Sequence, residues 1–517
     1  MNRNIEHLPK CVAEYITTVI KMVRYRPKVR REVKQELIDH FTDALADCES
    51  EPQKQQLAEE IIDDFGDAGL LAKLIRRAKK RCRPMWVKAT NCTMSILGII
   101  FIFSIVYNVW VNYTWKSSKV DYIEKFNQLN RQEALETNNA WPYYAKAVDL
   151  YLELPTNFDA AKDLILSDAN DITWLIRFED CNEVQIAKVR DWLESQDASW
   201  LQVTTATELP CYWQNMPDYS SFDKNSTNYL DPLRDLAKMG SWRAMQHTHN
   251  QQYDQAMKEG LKIIRMANHL MSSKIMQEYL TGISVLSIGD SVVREILKKF
   301  QPDELCLTTT QTELEKLYHD DFRFYDLNGE AIYLMASLKK TYIELLEEMP
   351  FMYIFPMGYL YGGSLQNTEA KTISFYEQFD QRNPYERHSN PKKKNFKIKT
   401  PGFMLQILEP ATERMVTITY RAKSMHQATS TILALRQWNL NKGAYPKKLE
   451  ELKEDGYIEQ LPVDPYSDGI LMYQQQGDDF ILYSLAADFD DDGGIENPDA
   501  PWGEGEDGGD RVFWPIK

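Results

Sequence analysis

Apolar positions along this chain fall into stretches of different period, and each stretch predicts a different kind of structure. From residue 8 to residue 84 they recur every three or four positions, the period of one helix face. Val29, Val33, Leu37, Phe41 and Ala44 lie on one such face, and Pro27 separates this second helix from the first. A third helix is expected from about Gln53 to Phe65. Gly66 suits the position just past its end, and Asp67 suits the N-cap of a fourth helix carrying Leu70, Leu71, Leu74 and Ile75. His40, between Asp39 and Phe41, reads as a boundary histidine on a helix and not as a base.

The periodicity then gives way to an unbroken apolar run. From Ala89 to Trp115 nothing is charged. The stretch Cys92 to Tyr113 covers roughly 33 Å at about 1.5 Å per residue, enough for a hydrocarbon core of about 30 Å. Trp110, Tyr113 and Trp115 cluster at one end as an interfacial belt would. Arg76, Arg77, Lys79, Lys80, Arg81, Arg83 and Lys88 precede the run, whereas Lys116, Lys119 and Lys125 follow it. Positive charge stays on the cytoplasmic side of a span, so Met1 is expected inside and the larger part of the chain outside. The run lies too far along, behind too charged a region, for a cleavable signal peptide.

From residue 116 to about Pro410 the pattern is helical again. Asn139 to Leu152 predicts an amphipathic helix with an aromatic face, and Leu230 to about Phe300 predicts consecutive antiparallel helices. Within these, Trp242, Arg243 and Ala244, then Gln252 to Ala256, then Ala267, have the small–large spacing of one tetratricopeptide hairpin, without a clean 34-residue repeat. Such an array suits contact with a protein or peptide. His247 and His249 with His269 are the nearest thing to a transition-metal set, but residues two apart on a helix point in different directions. The apolar stretch Met349 to Gly363 reads as a buried extended segment, and Asn390 to Lys399 as a basic loop between domains, with anionic lipid as its alternative contact.

The last hundred residues change period once more. Met425, Ala428, Ile432, Leu435 and Trp438 mark the buried side of a long helix ending at Gly443. A short helix is expected over Ala444 to Leu452, then an extended connector from Gly456 to Pro465. Ile470 to Tyr473 and Phe480 to Leu485 read as two strands around a Gly477–Asp478 turn. After them come Asp488, Asp490, Asp492, Glu496 and Asp499, which occupy positions 1, 3, 5, 9 and 12 of a loop with Gly493 at position 6 and Ile495 at position 8. That spacing wraps one turn of chain around a hard, oxygen-seeking cation. Position 12 is Asp, and Pro498 and Pro501 forbid a following helix, so a helix–loop–helix hand is not expected. A merely solvated acidic loop is the alternative, against which stands the mutual repulsion of so many carboxylates without a counter-ion.

Charge sharpens the division. Residues 1–91 hold 18 Lys and Arg against 14 Asp and Glu, a surplus of +4, so −20 of the net −16 lies beyond them. An acidic outer region disfavours nucleic acid, whose phosphates need Lys and Arg. The seven cysteines form no CxxC pair, which leaves zinc ribbons and thioredoxin-type chemistry without support. Cys181, Cys211 and Cys306 would lie outside, where one disulfide among them or three small buried residues are both open. No HExxH, GxSxG, Walker loop or GxGxxG is present.

Two resemblances add to this. Arg30 to Asp43, followed by Ala58 to Asp67, resembles the small helical domain that precedes membrane spans in bacterial proteins, often called the HAAS or permease-prefix type, which implies signalling or assembly. Ala434-Leu-Arg-Gln-Trp438, Gly443-Ala-Tyr-Pro446, Leu461-Pro-Val-Asp-Pro465 and Leu482-Tyr-Ser-Leu-Ala-Ala-Asp488 resemble, in that order, the globular part of the major pseudopilin of type II secretion. That family binds calcium in the loop after its hairpin. The resemblance implies structural calcium (Ca2+) here, with Asp507 and Asp510 as later acidic ligands and with Asp488 and Asp510 favoured among all seven carboxylates. Pseudopilins carry their span directly ahead of the long helix, whereas here it lies about 300 residues upstream.

The expectation is a mainly α protein in four parts: a cytoplasmic helical bundle over 1–88, one transmembrane helix over 89–115, a helical, TPR-like outer region over 116–409, and an α+β pseudopilin-like domain with a small antiparallel sheet over 410–517. Its expected place is a bacterial inner membrane, facing the periplasm, as a non-enzymatic scaffold for a protein partner. A hydrolase with its site in 116–409, and a sensor coupled to the cytoplasmic domain, are the alternatives.

Overall fold

A computed structural model describes residues 5–48, 50–81, 85–131, 136–153, 157–166, 175–216, 228–300, 302–317, 325–348, 363–391, 402–503 and 508–516. They form a mainly helical protein with one small three-stranded antiparallel sheet, divided into two compact units, Met1–Ser104 and Ile105–Lys517.

In the first unit, α1 (Lys10–Met22), α2 (Pro27–Ala44), α3 (Glu51–Phe65) and α4 (Ala68–Arg81) close around Val12, Ile16, Val19, Val33, Leu37 and Phe41. The turn between α3 and α4 is the one the sequence prescribes. Gly66 has φ +69° and its N–H reaches the Ile62 carbonyl at 3.1 Å, while Asp67 Oδ1 accepts from Leu70 N at 2.8 Å. His40 lies edge-on to Phe65 at 5.3 Å, at the rim of this core.

Helix α5 (Met85–Lys116) is long and apolar enough to cross a membrane. Its Cys92–Lys116 segment has mean hydropathy 2.2, and only 11 % of its most apolar window is buried, unlike a core helix of a soluble protein. One expectation is corrected at its end. Trp115 is not an interfacial residue but is fully buried, stacked at 4.5 Å on Tyr342 of α15 (Leu327–Glu348) and donating its Nε1–H to the Gly363 carbonyl at 3.1 Å. The Tyr342 hydroxyl donates to Asn112. Trp110 and Tyr113 remain exposed.

The second unit continues through α6 (Tyr122–Asn130), α7 (Trp141–Leu152), α8 (Phe158–Leu166), α9 (Glu183–Ser195), α10 (Asp197–Thr207), α11 (Leu230–His249), α12 (Tyr253–Met271), α13 (Met276–Lys299) and α14 (Glu304–Leu317). After α15 come α16 (Leu365–Glu377), α17 (Pro384–Ser389), α18 (Gly402–Lys442), α19 (Glu450–Glu454), β1 (Met472–Gln476), β2 (Asp479–Ser484) and β3 (Arg511–Trp514). Short turns join α11, α12 and α13, as the periodicity requires. Glycines bring α12 and α13 unusually close: a Cβ on Gly282 would stand 2.8 Å from Met271 N and 2.9 Å from Ala267 O.

The division expected at 409/410 does not separate two cores. One continuous hydrophobic cluster runs from Ala140 and Tyr144 through Trp242, Ile264 and Val292 to Leu435, Leu482 and Trp514. Helix α18 causes this. It begins at Gly402, passes through Pro410 without stopping, and packs along α13 and α14 before reaching the sheet. It ends where expected, with Gly443 at φ +77° and its N–H on the Asn439 carbonyl. β1 and β2 pair antiparallel across Gly477–Asp478, with Tyr473 opposite Leu482, and β3 adds to the far side of β2.

Candidate functional site

The acidic loop leaves β2 through the turn Ala486–Asp488 and returns as β3. Positive φ angles at Phe489, Gly493 and Gly494 fold it back on itself. Local side-chain bonds then hold the turns. Asp488 Oδ1 accepts from Asp490 N at 3.4 Å, and Asp490 Oδ1 accepts from Asp491 N at 3.0 Å. Asp491 Oδ1 takes two donors, Gly493 N at 3.0 Å and the Tyr483 hydroxyl at 2.9 Å.

Asp510 is the loop's anchor. It is fully buried, its Oδ2 accepts from Gly494 N at 2.7 Å, and its Oδ1 has no partner. Burial pushes its carboxyl up to about 7, and the nearby charges of Asp491, Asp492 and Asp488 push in the same direction. Asp488 reaches the same end of the loop: a Cβ on Gly508 would stand 1.9 Å from Asp488 Oδ2, so only glycine admits this approach. Its carboxyl is raised as well, first by burial and then by Asp492 and Asp490.

The remaining expected ligands divide. Asp492, beside Asp488 and Asp510 in the loop, is exposed. Glu496 instead forms an ion pair with Arg511 at 2.5 Å. Asp499 is exposed and Asp490 faces solvent. Asp507 lies outside the described residues. Among the described residues no three His, Cys, Asp or Glu side chains stand close enough to hold a metal ion.

The connector before the sheet supplies a second buried acid that spacing alone did not single out. Asp464 accepts from the Ser484 hydroxyl at 2.7 Å, Tyr466 N at 3.1 Å and Leu485 N at 3.1 Å, so the Pro462–Pro465 turn is tied to the end of β2. Burial raises its carboxyl, partly offset by these donors.

In the helical region the three histidines do not converge. His269 uses both ring nitrogens, Nδ1 with the Tyr144 hydroxyl and Nε2 with the Leu209 carbonyl, each at 3.0 Å. His247 pairs with Gln252 at 2.8 Å and His249 stacks on Phe178. Glu278, deep in the same core, accepts from Tyr212 at 3.2 Å and from the Tyr229 hydroxyl; burial raises its carboxyl. Cys181, Cys211 and Cys306 are all free, and burial pushes the Cys306 thiol up to about 12. Of the stretch Met349–Gly363 only Gly363 is described, and of the basic tract only Asn390 and Pro391; the rest of both lies outside the described residues.

Sequence spacing missed one buried pair: His426 Nδ1 lies 3.0 Å from Asp290 Oδ1, joining α18 to α13 across 136 positions. No known protein family, curated protein or solved structure matches this chain.

Proposed function

We propose that the chain is a single-pass scaffold of a bacterial inner membrane, with residues 1–88 in the cytoplasm and the second unit outside, holding a protein partner on its helical surface. The observation that carries this is the way the buried polar groups of the helical region are spent. His269 bonds to Tyr144, and Glu278 to Tyr212, inside the core, where these groups fix helix positions. The exposed apolar face of α5 supports the anchor, and the basic residues ahead of it support the orientation. The continuous core from α7 to β3 makes the outer unit a rigid presenter of surface, with the TPR-like hairpins α11–α13 as its helical face and the pseudopilin-like module fused to it through α18.

Calcium is part of the proposal. Asp510 Oδ1, buried and without a donor, and Asp488 beside Gly508 are the oxygens that would hold the ion. The ion would neutralise carboxylates whose proton affinity is raised first by burial and then by the neighbouring Asp charges. Its role is structural, pinning a loop without a core of its own.

The test uses the full chain in lipid nanodiscs. Unfolding is followed with calcium and with chelator, and the partner is isolated from native membranes by photo-crosslinking under both conditions. A stoichiometric adduct at the α11–α13 face, with a higher unfolding temperature in calcium, is the expected result. An unchanged unfolding temperature removes the metal, and absence of any discrete adduct removes the scaffold.

A further inference from the structure

Between α13, β3 and the segment ahead of α9 lies a cavity of about 290 Å³, at the small end of the range for ligand sites. Leu175, Val512, Phe513 and Ile516 supply apolar walls, and Ser291 and Arg294 of α13 supply polar groups. The charged lining divides into groups that are taken and groups that are not. Glu496 holds Arg511 at 2.5 Å, and Lys299 holds Glu295 at 3.2 Å. Arg294, and Arg177 in an exposed position, form no ion pair among the described residues.

Arg294 is only 6 % exposed, and a buried guanidinium without a carboxylate needs a reason. Burial pushes it down to about 10, with Asp290 opposing the effect and Arg511 adding to it, so it stays charged at neutral pH. Asp290, one turn earlier on α13, does not pair with it; Asp290 Oδ1 is engaged by His426 at 3.0 Å. Ser291 Oγ accepts from Arg294 Nη2 at 3.3 Å, which leaves the Ser291 hydroxyl hydrogen to donate elsewhere. The other N–H groups of Arg294 have no acceptor among the described residues, and its Nε and Nη1 are not sealed from solvent as the Nε of Arg511 is. Open N–H groups on a largely buried fork match the two oxygens of a carboxylate. Glu295 and Glu496 in the same lining repel a second negative charge, which favours a monoanion over phosphate.

We propose that this cavity binds a small apolar monocarboxylate, its oxygens on the Arg294 guanidinium and the Ser291 hydroxyl and its tail against Leu175, Val512 and Ile516. Two sources share this chemistry, a free short-chain acid and the carboxyl end of a peptide with an apolar last residue. The site goes beyond the scaffold function and does not depend on the calcium.

The experiment is calorimetric titration of the full chain in nanodiscs, with the signal of empty nanodiscs subtracted. The probes are 4-methylpentanoate, N-acetylglycylglycylleucine, the neutral 4-methylpentanamide, 3-methylbutylammonium and inorganic phosphate. One of the first two is expected to saturate a single site, and the tighter of them identifies the source. The amide, without the charge, should bind about tenfold more weakly or worse, the effect of one hydrogen bond to a charged group. Arg294→Met removes the cation, and Ser291→Leu fills the cavity from a half-buried position on α13; each should weaken binding by tenfold or more. Helical circular dichroism confirms that each variant is folded, and Ser291→Leu carries the test if Arg294→Met is not. The proposal is overturned if neither carboxylate saturates a site, if the amide, the ammonium or phosphate binds as well as the carboxylates, or if a folded variant binds like the parent.

Discussion

Replacing Gly282 by alanine tests the close seam between α12 and α13. In an ordinary helix this change stabilises by about 1 kcal/mol, because glycine is the poorer helix former. Here the new methyl would stand 2.7 Å from Met271 Cγ, 2.8 Å from Met271 N and 2.9 Å from Ala267 O. Two of the three obstacles are backbone atoms of the facing helix, so no rotamer change relieves them and the helices must separate. Overpacking of this kind costs about 1–3 kcal/mol, and the upper part of that range applies when backbone must move. Net of the propensity gain, Gly282→Ala should destabilise the chain by about 1–2 kcal/mol. Gly260→Ala is the internal control. Its methyl would meet only side-chain atoms, Val292 Cγ1 and Val293 Cγ2, both at 3.3 Å, so cost and gain should nearly cancel. Urea unfolding of the full chain in micelles, followed by helical circular dichroism, measures both. A Gly282→Ala protein as stable as the parent, or no less stable than Gly260→Ala, refutes the claim that these helices touch through backbone.

Other expectations follow from the buried acids. Asp464→Ala leaves two backbone N–H groups and the Ser484 hydroxyl without their acceptor, and should destabilise by about 2–4 kcal/mol in the same assay. Glu278 has a folded-state carboxyl above the ordinary range, so the native state holds a proton that the unfolded state has released. That contribution is fully present below the unfolded value of about 4.3 and is lost as pH rises through the raised folded value, so stability should fall as pH rises above about 4.3, and Glu278→Gln should flatten the fall. A parent whose stability rises with pH, unchanged in Glu278→Gln, sinks this. Asp510→Asn keeps an acceptor for Gly494 and removes one of the crowded charges. It should raise the unfolding temperature in chelator and abolish the calcium-dependent increment; a variant that still responds fully to calcium shows that Asp510 is not a ligand.

Punctuation was the most legible part of the fold. Gly66, Gly443 and Gly477 all adopt positive φ at the turns where spacing predicts them, because no other residue enters that region as cheaply. The hairpin was legible for the same reason. Less legible was anything set by distant packing. The long helix that Met425 to Trp438 mark begins far ahead of them, at Gly402, and passes through Pro410. The short helix expected over Ala444–Leu452 is shorter and shifted, Glu450–Glu454, with Glu451 Oε1 accepting from Lys447 N and Lys448 N in the turn ahead of it. In the acidic loop, spacing names Asp488 and the pseudopilin resemblance adds Asp510, but neither foresees that Arg511 takes Glu496 or that Tyr483 engages Asp491. The Asp290–His426 pair was invisible for want of any local pattern.

The burial of Trp115 also changes where a membrane could end. A run of uncharged residues cannot distinguish aromatic side chains in lipid headgroups from those in a protein core. The contacts of α15 can. Tyr342 meets Asn112 and Trp115, and Leu346, one turn further along α15, joins the same cluster as Val111 and Tyr107. Glu344, Glu347 and Glu348 are exposed on that same turn of α15. Carboxylates at hydrocarbon depth cost roughly 3 kcal/mol or more each, so the hydrocarbon boundary of a membrane crossed by α5 would fall short of them. If α5 crosses a membrane, the crossing part runs from about Ala89 to Val106, whose 18 residues cover roughly 27 Å, close to a hydrocarbon core of about 30 Å. Beyond Val106 the helix serves as a post, within the second unit, against which α15 and the Gly363–Leu365 segment pack. The buried Asn108 and Asn112, costly in lipid, belong to a protein interface on this account.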